Sequence, residues 1–236
     1  MNKRSNRFLL KLSGEVLKGD GSHGISPDVC QKLAQSVKSI QDAGCELGIV
    51  IGGGNFFRGS EQPGMDRAPA DNIGMLATLL NGLSLQHYFE EVGCPTRVLS
   101  ALDCSKVVES YTWRGAMEHL DQGRVVIFVG GTGNPYFTTD TAAALRASEI
   151  KAAKLLKATK VDGVYSKDPV KYADAVRYDC VTYNQVLEED LKVMDGTAFA
   201  LCRSFKMPIL VFHMDLLLKG TPVTLKELEV EGSLVQ

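Results

Sequence analysis

Three stretches of this chain combine residue types that can handle a phosphate group, and a fourth carries groups suited to a base and a ribose. Lys11 stands inside the apolar run Phe8-Leu9-Leu10-Lys11-Leu12 and is followed at once by Ser13-Gly14. A lysine in that setting is either a solvated side chain on an edge strand or a point charge beside a turn of free backbone amides, which is how lysine meets phosphate. The second stretch is Gly52-Gly53-Gly54-Asn55-Phe56-Phe57-Arg58-Gly59. Three successive glycines after a strand strip the turn of side chains and present its N–H groups to an anion. Arg58 adds a two-pronged donor. The plainer alternative is a tight turn with a surface arginine.

The third stretch is Gly130-Gly131-Thr132-Gly133-Asn134-Pro135-Tyr136-Phe137-Thr138-Thr139-Asp140. Thr138, Thr139 or Asp140 can simply cap the helix that follows. Hydroxyls and free amides at a helix start also hold phosphate. Asp140 would repel a bare phosphate there, so its use is to orient Lys11 or a water on magnesium. The fourth is Lys157-Ala158-Thr159-Lys160-Val161-Asp162-Gly163-Val164-Tyr165-Ser166-Lys167-Asp168-Pro169. It reads either as an ordinary polar loop or as an adenosine site, with Tyr165 against the base and Asp168 on the ribose hydroxyls.

Two familiar nucleotide motifs fail on inspection. G-x-G-x-x-G would need glycine at position 57, which is Phe57, and G-x-x-x-x-G-K-[ST] occurs nowhere. The six cysteines form no C-x-x-C pair and the four histidines have no zinc-finger spacing. A structural zinc site is not expected, and the cysteines read as reduced thiols in a core.

The elements that must position these stretches follow from apolar periodicity and breakers. Strands are expected at Arg7–Leu12, Glu46–Ile51, 96–99, 124–129, 154–158, 209–212 and Ser233–Val235. Helices are expected from the Ser26-Pro27 cap to Gly44, and at 71–92, 107–120, 139–150, 184–191 and 197–206. The segment 170–189 can hold a small subdomain or an extra hairpin, and 19–24 is a loop or hairpin tip. Repeated strand–glycine–helix order marks a mostly parallel sheet with helices on both faces. One continuous α/β domain over 1–236 is the expectation. Ligands then gather beyond the carboxyl ends of the strands, where the glycine loops lie.

Composition removes other classes. With 236 residues, 26 Lys+Arg against 28 Asp+Glu and a net charge of -2, the chain lacks the basic excess of a nucleic-acid surface. At 44% hydrophobic and 23% charged it is an ordinary globular composition rather than a disordered one. No apolar run approaches the roughly 18–20 residues of a membrane helix. The N-terminal Phe8-Leu9-Leu10 is too short for a signal-peptide core. The expectation is a cytoplasmic protein with no nucleic-acid or membrane partner.

Taken together, the stretches resemble the bacterial uridylate kinases of the amino-acid kinase family. The resemblance is carried by Lys11-Leu12-Ser13-Gly14-Glu15, Ile51 to Gly59, Asp71 with Gly74-Met75-Leu76-Ala77-Thr78, Gly131 to Asp140, Lys157 to Gly163, and Leu191-Lys192-Val193-Met194-Asp195. It implies a three-layer α/β/α sandwich that catalyses ATP + UMP → ADP + UDP with magnesium held mainly by nucleotide phosphates. Carried over, Lys11, Leu12, Ser13, Gly14, Gly54 and Arg58 would line the ATP phosphates, and Thr159, Tyr165 and Asp168 the adenosine. Gly53, Arg58, Asp71, Thr132, Gly133, Asn134, Pro135, Tyr136, Phe137, Thr138 and Thr139 would hold UMP. Asp140 and Asp195 would order the lysine and the metal nucleotide. Gly19, Asp20, Gly21, Ser22, His23 and Gly24 match a region tied to activation by GTP; feedback inhibition by UTP and a homohexamer are implied as well.

The acceptor phosphate, with a second pKa of about 6, is already largely dianionic at pH 7, so no strong general base is required. The rivals are a carboxylate or carbamate kinase of the same family, a non-catalytic nucleotide-binding regulator, and a nicotinamide oxidoreductase. Arg58 with Thr138-Thr139 suits a phosphate acceptor. Lys11, Asp140 and Asp195 together exceed what binding alone requires, and the missing dinucleotide fingerprint disfavours the oxidoreductase.

Overall fold

The first strand, β1 (Arg7–Leu12), buries both of its faces and so becomes the centre of a sheet. The computed structural model describes residues 6–58 and 64–236; the N-terminal Met1 to Ser5 and Gly59 of the glycine-rich stretch lie outside the described residues. After a 3-10 turn at Gly14–Lys18, the chain continues through α1 (Pro27–Asp42), β2 (Glu46–Ile51), α2 (Arg67–Glu91), β3 (Thr96–Ser100), β4 (Glu109–Ser110), α3 (Trp113–Asp121), β5 (Val125–Val129) and α4 (Thr139–Glu149). It then runs through β6 (Lys154–Thr159), β7 (Val164–Tyr165), β8 (Arg177–Tyr178), β9 (Cys180–Val181), α5 (Tyr183–Glu188), α6 (Gly196–Ser204), β10 (Ile209–His213), α7 (Leu225–Glu231) and β11 (Ser233–Val235).

Nine strands form one sheet in the order β4-β3-β5-β2-β1-β6-β10-β11-β9, and β7 pairs with β8 separately. Every pairing in the large sheet is parallel except β10 with β11. Alternation along each strand divides the core in two. Leu10, Leu12, Ile49 and Ile51 pack on the side of α1, α2 and α7, with Leu33, Leu85, Phe89 and Leu228. Leu9, Val50, Phe128 and Leu155 pack on the side of α3, α4 and α6, with Leu120, Ala143, Ala147 and Phe199. The result is the three-layer α/β/α sandwich expected.

Several boundaries differ from the sequence expectation, each for a physical reason. The helix placed at 107–120 begins only at Trp113, where the Thr112 hydroxyl accepts from the Gly115 N–H. The residues before it extend instead, because Glu109 and Ser110 pair with Leu99 and Ser100 at the end of β3. The helix placed at 71–92 starts earlier, at Arg67; Pro69 lies in its first turn, where no intrahelical N–H bond is lost. The short α7 was not expected, since Leu228 is its one buried residue. In the 170–189 segment the extra hairpin is completed: β8 folds back on β7 in antiparallel pairing.

The six cysteines are all free thiols. Burial pushes Cys30 and Cys94 up to about 11, which keeps them protonated and inert. Among the described residues no helix is long and apolar enough to cross a membrane.

Candidate active site

Period-two alternation turns Lys11 to the same face as Leu9, and Lys157 to the same face as Leu155. The parallel register of β1 and β6 makes Lys11 and Lys157 direct partners. Both ammonium groups reach one carboxylate in the first turn of α4: Lys11 Nζ lies 2.8 Å from Asp140 Oδ1, and Lys157 Nζ lies 2.6 Å from Asp140 Oδ2. Lys157 also donates to the Val193 carbonyl at 2.6 Å. The three side chains are only 11–15% exposed.

Their electrostatics follow from that burial. Desolvation pushes the Asp140 carboxyl up, but the charges and hydrogen bonds of Lys11 and Lys157 outweigh it and hold the group below the ordinary carboxylate range. Burial pulls Lys157 below the ordinary lysine value; Asp140 works against that shift and Lys11 adds to it. The cluster therefore carries two cations around one anion, with a surplus positive charge at the strand ends.

A cavity of about 520 Å³ opens beside this cluster, lined by Lys11, Ser13, Lys18, Gly19, Lys157, Thr159 and His213 among others. A smaller one, about 170 Å³, is lined by Gly53, Asp71, Thr78, Gly131, Phe137, Thr138 and Thr139 among others. Thr139, in its wall, immediately precedes Asp140, so the two cavities flank the charged cluster. The glycine turns that separate them are pressed together. A Cβ on Gly14 would stand 2.3 Å from the Gly52 carbonyl oxygen, and one on Gly53 2.6 Å from that of Gly74 on α2. Only glycine lets these backbones approach so closely.

The smaller cavity gathers Gly53, Asp71, Phe137, Thr138 and Thr139 from the acceptor set. Thr132, Gly133, Asn134, Pro135 and Tyr136 make up the rest of its loop, outside the wall. Asp71 holds that loop: its carboxylate accepts the Tyr136 N–H at 2.7 Å and pairs with Arg67 at 2.9 Å. Tyr136 sits at φ +73°, a left-handed conformation unusual for a bulky residue, which this bond supports. Thr138 is the helix cap, accepting from the N–H groups of Asp140 and Thr141. Its hydroxyl donates to Asp195, which in turn caps α6.

Other expected residues are dispersed. Asp195 sits at the threonines rather than on Lys11. Arg58 forms an ion pair with Glu15, which also binds Lys160 at 2.8 Å. The Leu12 side chain is fully buried, which leaves only its backbone to face a ligand. Thr159 lines the large cavity, but Tyr165 and Asp168 line a separate one of about 240 Å³ with Gly163, Leu191 and Lys192. Tyr165 donates to Asp162 at 2.6 Å, and Asp168 accepts the Val170 N–H at 3.0 Å. Of the 19–24 loop, Gly19 reaches the large cavity, the Ser22 hydroxyl and His23 imidazole lie 2.9 Å apart, and the Gly24 N–H donates to the Asn55 carbonyl.

Two contributors escaped the sequence reading. Lys157 was read as the end of a strand and the start of a polar loop, with no role of its own; its alternation with Leu155 was the available signal. Arg146, on α4, stacks 3.8 Å from the Tyr111 ring centre, pairs with Glu149 at 2.6 Å and donates to the Gly131 carbonyl at 3.3 Å. It braces the start of the 131–139 loop.

Among the described residues no cluster of three or more His, Cys, Asp or Glu side chains could cage a metal ion. Asp140 is already engaged by two lysines. This donor set fits phosphate oxygens.

Comparison with known proteins agrees with this geometry. The family model described as the amino acid kinase family matches residues 6–213. A protein named uridylate kinase from Protochlamydia amoebophila is 59% identical over 216 residues, covering 91% of this chain and 86% of its own. One of the same name from Paramagnetospirillum magneticum is 57% identical, covering 88% of each chain. Among solved structures, the UMP kinase from Ureaplasma parvum superposes with a TM-score of 0.89 at 37% identity over 99% of both chains. That from Bacillus anthracis gives 0.90 at 36% identity over 98% and 96%. With the sandwich, the lysine–aspartate cluster and its flanking cavities in place, the chain belongs to the amino acid kinase family, within its uridylate kinases.

Proposed function

We propose that this chain transfers the γ-phosphoryl group of ATP to UMP, giving ADP and UDP, in the supply of pyrimidine nucleotides. The observation that carries the reading is the Lys11–Asp140–Lys157 cluster flanked by two cavities. Transfer between two polyanions is limited by their repulsion and alignment rather than by proton removal, because the acceptor phosphate is already ionised. Two ammonium groups held by one carboxylate supply positive charge in fixed positions, which is where electrostatic stabilisation is strongest.

In this reading ATP lies in the large cavity, its phosphates against Lys11, Ser13, Gly14 and Gly54. UMP lies in the smaller one, between Gly53, Asp71 and the 132–139 loop, with its phosphate toward Thr138 and Thr139. Asp140 keeps both lysines apart and aimed. Arg58, now on Glu15, is within the same turn and would exchange that carboxylate for phosphate. Tyr165 and Asp168 would serve the adenosine only if their loop swings toward Thr159. Magnesium enters with ATP and screens its phosphate charge.

The same reading takes residues 1–236 as one catalytic domain of a cytoplasmic homohexamer. GTP and UTP are its candidate effectors, and the 19–24 loop is the candidate GTP-responsive segment. The exposed Ile73, Leu76 and Leu80 on α2 supply an apolar face for contact between copies.

The test is ADP release from ATP and Mg²⁺ with UMP, CMP, acetylglutamate, aspartate and carbamate offered separately. Turnover with UMP alone is expected. Turnover with a carboxylate would keep the fold and overturn the reading of Arg58 and Thr138-Thr139. Nucleotide binding with no turnover on any acceptor would make the chain a regulator.

A further inference from the structure

Asn55 and Asn81 are almost fully buried, at 2% and 0% exposure, and neither lines the cavities described above. Their side-chain amides face each other reciprocally. Asn55 Nδ2 donates to Asn81 Oδ1 at 2.8 Å, and Asn81 Nδ2 donates to Asn55 Oδ1 at 2.7 Å. Each amide has a second N–H. That of Asn81 goes to the Gly52 carbonyl at 2.7 Å, and that of Asn55 to the Gly24 carbonyl at 2.9 Å. The Gly24 N–H returns to the Asn55 backbone carbonyl at 3.0 Å.

This pattern satisfies every polar hydrogen of both side chains and ties together three separate segments. Asn81 belongs to α2, Asn55 to the glycine turn after β2, Gly24 to the loop before α1, and the Gly52 carbonyl is the surface on which Gly14 rests. An aspartate at either position would lose both donors, and an aliphatic residue would leave its partner amide unpaired in the interior. A stability role alone would be met by apolar residues of similar size; a paired amide is what holds a particular backbone carbonyl in a particular place.

We infer that Asn55 and Asn81 are positioning residues for the transfer: they fix the Gly52–Gly54 turn against Ser13-Gly14, and so fix the separation between the phosphate seats of donor and acceptor. The inference deepens the UMP kinase reading and rests on it. Neither asparagine touches substrate, so its effect appears in the alignment of bound substrates rather than in their binding.

The test compares wild-type protein with Asn81→Leu, Asn55→Ser and the double variant. With UMP and ATP, kcat should fall about tenfold or more in each single variant, as small misplacements of reacting groups do. Dissociation constants for UMP and for a non-hydrolysable ATP analogue should change far less than kcat. The double variant should be no slower than the slower single one, because the two amides act as one unit. Hydrogen exchange at residues 13–16 and 52–55 should quicken together. Unchanged kcat and unchanged exchange at 13–16 in a folded variant would overturn the proposal. So would a loss that falls on substrate binding alone. If Asn81→Leu does not fold, Asn81→Ser carries the same test, and failure of both to fold would reduce the pair to a structural role. A wild-type protein inactive on UMP would instead sink the functional reading, and the exchange data would still judge the coupling of the two turns.

Discussion

Lys11 and Lys157 are separated by almost the whole first two-thirds of the chain, yet they are register partners on adjacent parallel strands and grip opposite oxygens of Asp140. The arrangement makes them one functional unit. Lys11→Ala and Lys157→Ala should each lower kcat by about 10²-fold or more. The double variant should cost much less than the product of the two, since residues that act together are not additive. Circular dichroism should show the fold retained. Steady-state kinetics on the three variants check this, and an unchanged rate for Lys11→Ala would remove it from the chemistry.

The same cluster sets a pH dependence. Burial pulls Lys157 below its ordinary 10.5, so its ammonium, and with it the rate, should be lost at a lower pH than an exposed lysine would give. Asp140 opposes that shift. Removing its charge in Asp140→Asn should move the alkaline fall in kcat to still lower pH, besides lowering its plateau. A profile of kcat from neutral to alkaline pH decides this; an alkaline limb that does not move in Asp140→Asn would refute it. For stability the sign is opposite in pH. Despite its burial, Asp140 is held below its ordinary 3.8 by both lysines, so its stabilising contribution is present above that value and is lost as pH falls through the lowered one.

Asp71 pairs with Arg67 and accepts the Tyr136 N–H, at the wall of the smaller cavity. Asp71→Asn keeps an acceptor for Tyr136 but removes the charge. It should raise the KM for UMP more than that for ATP. Asp71→Ala removes both and should raise the UMP KM further, because the left-handed Tyr136 loses its support. Equal effects on both substrates would mean that Asp71 shapes the fold and not the acceptor site.

What the sequence disclosed and what it withheld have a common physical origin. Strands β1 and β2 were legible to the residue because each is a short apolar run closed by glycine. The glycine turns and the threonine-rich loop were legible because their chemistry is local: successive residues face the same ligand. Lys157 was hidden because its meaning lies in a pairing across strands, and a polar loop begins just after it. Arg146 was hidden inside an alanine-rich helix, where an arginine reads as solvated surface. Asn81 was invisible because its partners, the Asn55 amide and the Gly52 carbonyl of the glycine turn, are brought to it only by packing. Tyr165 and Asp168 show the converse: neighbours of Thr159 in sequence, they face a different cavity because a hairpin carries them away.

The outer face of α2 gives the last expectation. Ile73, Leu76 and Leu80 recur at helical spacing and are 38%, 51% and 50% exposed, beside Phe56 and Val107 at 40% and 63%. With Leu83 and Cys104 they line an apolar depression of about 420 Å³. An apolar stripe of this kind on a helix whose inner face already fills the core is suited to a self-complementary contact between two copies. Leu76→Lys with Leu80→Lys should lower the solution mass measured by light scattering without unfolding the protomer. The inner face of the same helix carries Asn81 and Thr78, and Thr78 accepts the Gly130 N–H at 2.7 Å. Loss of the contact between copies should therefore also lower kcat, although neither leucine lines the substrate cavities. A wild-type protein already monomeric at micromolar concentration would refute the contact, and dissociation with full activity would show that α2 does not transmit it.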